Sequence, residues 1–182
     1  MRRRQALASL SSSVLSLAGC GYALVGKGAF VDPSIKKIGV PLFKDNTGKP
    51  AIDQKVTAKV IEELLKRGKF EVLQQAEGVD ALVIGELNAY LVNPVGFSGV
   101  GADAPTTGQQ QASRYSIRLN ARVVYSKVGE KEPIWQNDLF TAQDEYDVGG
   151  DPQSFFDREE QAIERLIVIF ARNLVAAMLE AF

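Results

Sequence analysis

Residues 114–126 read RYSIRLNARVVYS, and their alternation decides the class of fold. Tyr115, Ile117, Leu119, Ala121, Val123 and Tyr125 share one parity, while Ser116, Arg118, Asn120 and Arg122 share the other. A period of two sends the two sets to opposite faces of a β-strand. One face is then buried and the other wet, as in an antiparallel sheet with a single covered side. KVGEKE (127–132) supplies a turn, and PIWQNDLFTAQDEY (133–146) a hairpin partner with poorer alternation. Upstream, DALVIGELNAYLV (80–92) is nearly all apolar in its first half and predicts a strand placed centrally in the sheet.

Outward from this core the period changes twice. IKKIGVPLF (35–43) places Ile38, Val40 and Leu42 on one strand face, and KDNTGKP (44–50) carries turn and helix-start residues. From Ala51, the positions Ile52, Val56, Val60, Ile61, Leu64 and Leu65 form one helical stripe. Asp53 in the first turn, Lys66 and Arg67 in the last and Gly68 beyond them suit the helix dipole and a left-handed cap. KFEVL (69–73) predicts a short returning strand. Asp151-Pro152 fits an N-cap followed by Pro at the first helical position. Ile163, Leu166, Ile167, Phe170, Leu174, Val175 and Met178 then mark the apolar stripe of a helix over 152–180. The expected fold is α+β: two helices packed on one face of a mainly antiparallel or mixed sheet.

The N-terminus carries an address. Arg2, Arg3 and Arg4 precede QALASLSSSVLSLAG (5–19), an uncharged run ending in small residues, which is the layout of a secretory signal peptide. It is shorter than the roughly 20 apolar residues a spanning helix needs. Leu17-Ala18-Gly19-Cys20 resembles the bacterial lipobox, which implies cleavage before Cys20 and lipidation of its sulfur and new amine. Two or more acyl chains give stable membrane anchoring. Gly21, where an Asp tends to retain lipoproteins in the inner membrane of enteric bacteria, points to the periplasmic face of the outer membrane. The expected organisation is a cleaved signal peptide (1–19), a lipidated tether (20–34) and a single periplasmic domain (35–182).

Composition narrows the chemistry. Without Arg2, Arg3 and Arg4 the 21 Lys and Arg fall to 18 against 22 Asp and Glu, formally −4. That balance argues against nucleic-acid binding by phosphate neutralisation. The chain has no histidine and one cysteine, so the commonest general base and the commonest transition-metal ligand are both absent. With Cys20 acylated, no zinc site, thiol nucleophile or cofactor is implied, and the reading is of a non-enzyme. Asp144, Glu145 and Asp147 read as a solvated strand end running into the turn VGGDP (148–152).

CGYAL at the lipidation site, IKKIGVPLFKDNTGKP, VTAKVIEELLKRGKFEVL and DPQSFFDREEQAIERL together resemble the LptE family of lipopolysaccharide-assembly lipoproteins. The resemblance covers essentially the whole mature chain. Its most specific part is Ile38 to Thr47 coupled to the Cys-Gly-Tyr start, and it departs at Ala23, where many members carry His. It implies the fold already derived and a partner, the outer-membrane β-barrel LptD, whose lumen the lipoprotein plugs. It also implies lipopolysaccharide binding and help with barrel assembly. GVPLFKDNTG also resembles the first-strand motif of other periplasmic lipoproteins, including the curli-secretion channel and activators of peptidoglycan synthases, which leaves another outer-membrane accessory lipoprotein as the alternative.

Two features are candidate contacts. NPVGFSGVGADAPTTGQQQAS (93–113) reads as a long loop whose bulky apolar residues are Val95, Phe97 and Val100, with Phe97 the candidate barrel contact. Arg114, Arg118 and Arg122 fall at even spacing on the polar strand face, neighbours about 13 Å apart. Guanidinium groups hold phosphate with paired hydrogen bonds, so the row is a candidate contact for lipid A phosphates. The alternative is that the row keeps an exposed face soluble, paired with acids such as Asp138.

Overall fold

In the computed structural model, residues 32–67, 69–98, 111–148 and 152–180 are described. Along the chain run β1 (Lys37–Gly39), β2 (Lys44–Asp45), α1 (Ile52–Lys66), β3 (Glu71–Leu73), β4 (Ala81–Ser98), β5 (Gln111–Lys127), β6 (Trp135–Asp147) and α2 (Pro152–Glu180). The strands form one mixed sheet in the order β3-β1-β4-β5-β6, with β2 pairing separately onto β4. β4, β5 and β6 are an antiparallel meander, whereas β1 runs parallel to both β3 and β4. The parallel pairs follow from α1, which carries the chain from β1 back to β3 in the same direction.

Alternation along β5 behaves as its sequence requires. Ile117, Leu119, Ala121, Val123 and Tyr125 are buried, and Arg114, Arg118 and Arg122 are exposed on the other face. The helices cover the buried face: α2 lies over β6 and β5, and α1 lies beside α2. Ile163, Leu166, Ile167, Phe170, Leu174, Val175 and Met178 are all buried, and the Phe170 ring meets Phe140 of β6 edge-on at 5.1 Å. Lys55 of α1 bridges Glu160 and Glu164 of α2 across the helix pair. The proposed caps Gly68 and Asp151 lie outside the described residues.

Three local expectations are corrected. The first strand does not keep its period: Ile38 and Val40 are buried, but Leu42 is 51% exposed and Phe43 is buried instead. Pro41 has no N–H for a ladder, so the chain breaks between β1 and β2 and the parity shifts by one. Leu65 is likewise 51% exposed, at the border of the α1 stripe. Finally, the two ends of the segment 93–113 are strand rather than loop, while its middle, residues 99–110 with Val100, lies outside the described residues. β4 continues to Ser98 and β5 begins at Gln111, with Pro94 opposite Tyr115 and Phe97 opposite Ala112. The ladder absorbs the proline and glycine through register shifts at Pro94/Gly96 and Gly96/Phe97.

Candidate interaction surface

The face of the sheet away from the helices carries the arginine row. Arg114 donates through Nε to Asp147 Oδ1 at 2.8 Å, and Arg122 through Nε to Asp138 Oδ1 at 2.9 Å. Arg118, between them, meets among the described residues only the neutral amide of Gln143, Nη2 to Oε1 at 3.3 Å. Its cross-strand neighbour on β4 is Leu91. The three guanidiniums therefore share one face, but the outer two are met by carboxylates, while among the described residues no carboxylate meets the middle one. Such exposed pairs contribute little to stability, about 0–1 kcal/mol. At the end of the row Glu86 faces Arg122 across the strands and accepts from Lys44 and Asn46. The Lys44 ammonium, then the Asn46 amide, hold its carboxyl below the usual range.

The far half of β4 is the second feature. The β2 ladder ends at Leu87, so among the described residues β4 is paired from Ala89 to Ser98 on one side only, to β5. Leu91, Val92, Val95 and Phe97 are exposed there, Phe97 by 53%. Tyr90 is the last residue anchored to the helix layer. Its hydroxyl donates to Glu159 of α2 at 3.1 Å, and the same carboxylate receives Lys49 at 2.8 Å. Burial, then the Glu159 charge, push the Tyr90 phenol well above its ordinary value, so it remains a donor.

The opposite edge is engaged at the end of β6 by side chains of α2. On α2, Arg158 donates to the carbonyl of Asp147 at 3.0 Å and Arg165 to that of Glu145 at 3.2 Å. Arg165 also pairs with Asp144 at 2.8 Å, so Asp144 and Asp147 are held in ion pairs. Asp147, Arg158 and Arg165, with Arg114, Glu145, Tyr146 and Gln161, line a polar hollow of about 300 Å³. Sequence reading missed Arg158 and Arg165. Their separation by two helical turns, beside a strand rich in acids, is the signal that points to them.

Among the described residues no group of three His, Cys, Asp or Glu side chains is placed to hold a metal ion. None of the described helices is long and apolar enough to cross a membrane. Cys20 lies outside the described residues.

Comparison with known families then decides the identity. The family model described as LptE, lipopolysaccharide-assembly, matches residues 35–178. The chain belongs to the LptE family. No curated protein sequence matches it. Among solved structures, this LptE-family chain is similar to a hypothetical protein from Chlamydia trachomatis (TM-score 0.50, 11% identity, 81% of this chain and 99% of that one). It is also similar to uncharacterized lipoprotein B from Nitrosomonas europaea (TM-score 0.49, 9% identity, 81% and 86%). At such identities the likeness concerns the fold alone. Within this LptE domain the family match spans the whole sheet-and-helix layer, including the arginine row and the far half of β4.

Proposed function

We propose that the chain is an outer-membrane lipoprotein, anchored at the periplasmic face through Cys20. It assists assembly of the β-barrel lipopolysaccharide translocon LptD, plugs that barrel and helps deliver lipopolysaccharide to the outer leaflet. The family match over residues 35–178 carries this reading. The surface supports it with two binding features, the Arg118 cation, which meets no carboxylate among the described residues, and an exposed apolar stretch of β4 that reaches Phe97. In this reading Arg114, Arg118 and Arg122 approach lipid A phosphates, Arg118 first because no carboxylate competes for it. Phe97 packs on the barrel wall.

The test is dependence. Depleting the chain should leave the barrel protein misassembled, and a lipidated, tagged chain should bring the native barrel with it. A barrel that assembles normally without the chain would remove the proposal.

A further inference from the structure

The sheet has an edge that no described element of the chain covers. Proteins normally blunt exposed strand edges with charge, short strands or a covering element, because unpaired N–H and C=O groups recruit other strands. This protein does so elsewhere. β3, at one end of the sheet, is only three residues long, and β6, at the other, has carbonyls at Glu145 and Asp147 occupied by Arg165 and Arg158. β4 beyond Leu87 has none of this protection. Residues 87–98 read LNAYLVNPVGFS and contain no charged side chain. Beyond Leu87, which still pairs with Asp45 of β2, no strand among the described residues pairs with this stretch on the side away from β5, and Leu91, Val92, Val95 and Phe97 are exposed. Pro94 sits within this stretch, at a position a proline tolerates only where no neighbouring strand of the same sheet needs its N–H.

We propose that the β4 edge from Ala89 to Ser98 is a strand-addition site, which takes up an extended, uncharged segment of a partner polypeptide as a further strand. Main-chain hydrogen bonds supply the attachment, and the exposed side chains of Leu91, Val92, Val95 and Phe97 select an apolar segment over a charged one. Because the side chains of this stretch are themselves uncharged, an apolar occupant matches them. A charge on the added strand would meet a counterion, among the described residues, only across β4, at Arg118 opposite Leu91 or at the Lys49–Glu159 pair beside Tyr90. This rests on the barrel partnership for the partner's identity and adds how contact is made. A closed barrel has no free strand edge, so the added strand is an extended periplasmic or lumenal segment of that partner rather than a wall strand.

The experiment compares amide hydrogen exchange of the full-length chain purified alone with that of the chain in the assembly extracted from membranes. Strand addition predicts at least tenfold slower exchange at alternate residues between Ala89 and Ser98, those whose amides do not already bond to β5. Uniform protection, or none, in an assembly that still contains the barrel overturns strand addition and leaves the barrel partnership standing. Loss of the barrel from the assembly fails the partnership, and the exchange pattern still decides whether this edge is occupied. Protection that appears in the purified chain as its concentration rises means a second copy occupies the edge, and overturns the proposal. Val95→Lys with Phe97→Lys should reduce recovery of the barrel at least tenfold. Ile84→Lys, a substitution at a site 50% exposed on the same strand near its paired half, should leave recovery unchanged.

Discussion

The ring of Phe43 lies against the backbone of Gly85: a Cβ added to Gly85 would stand 2.2 Å from Phe43 Cε2. Phe43 is 1% exposed and follows the break at Pro41, so this contact locks the end of the first-strand motif onto the centre of the sheet. Gly85→Ala should therefore destabilise the domain by about 1–3 kcal/mol, the usual range for overpacking. Urea denaturation measures it, and an unchanged midpoint would mean that the ring moves aside freely.

Thr57 of α1 secures the same phenylalanine from the other side. It is fully buried, accepts the Phe43 N–H at 3.0 Å and donates to the Asp53 carbonyl at 2.7 Å. Thr57→Val keeps the shape but orphans a buried N–H, at a cost of about 1–3 kcal/mol. Thr57→Ser, which retains both bonds, should cost clearly less. Equal losses in the two variants would assign the role of Thr57 to packing.

Asp80 ties β4 to the start of β1. Its Oδ2 accepts the N–H groups of Lys36 and Lys37, each at 2.8 Å, and these bonds hold its carboxyl below the ordinary value of 3.8. A lowered native pKa gives stability that is present above the unfolded value and lost as pH falls through the native one. The Tm deficit of Asp80→Asn should thus be full at neutral pH and shrink below about pH 3.8. A deficit independent of pH would show that the carboxylate charge is irrelevant.

The arginine row makes a separate prediction about ligand. Arg118→Glu with Arg122→Glu should weaken lipopolysaccharide binding, with the difference from wild type narrowing as salt rises. Tm should change little, because the pairs are exposed. Arg118→Glu alone should carry most of the loss, since Gln143 is its sole protein partner among the described residues. Unaltered binding ends the phosphate role, and a large fall in Tm means the row holds the sheet together.

Much of this fold was legible because its signals are local. The alternation of Ile117, Leu119, Ala121 and Val123 and the stripe from Ile163 to Met178 each name their own buried face, and the structure buries them. The break at Pro41 was harder: three apolar residues at even spacing concealed a parity shift that only the packing of Phe43 on Gly85 reveals. The long β4–β5 ladder was hidden for a related reason. Gly96 and Pro94 look like loop residues, yet an edge strand with register shifts accommodates both. At the surface, the row of three arginines was readable from spacing, but not their unequal neutralisation, which depends on what β6 places opposite each. The two-turn spacing of Arg158 and Arg165 places them on one helix face, but it does not name the strand carbonyls, distant in sequence, that they meet.

Anchoring has its own test. Cys20→Ser should leave the domain folded, since residues 35–178 hold the family fold, while releasing it from membranes that lack the barrel. Continued fractionation of that variant with such membranes would contradict lipid attachment at Cys20.

The decisive measurement is purification of the tagged, full-length chain from outer membranes, with its partner identified by mass. The barrel translocon LptD should be recovered in stoichiometric amount, and recovery should fall when Val95 and Phe97 are both replaced by Lys. Recovery of a peptidoglycan synthase or a secretion channel in its place, with no barrel translocon, would contradict the proposed role.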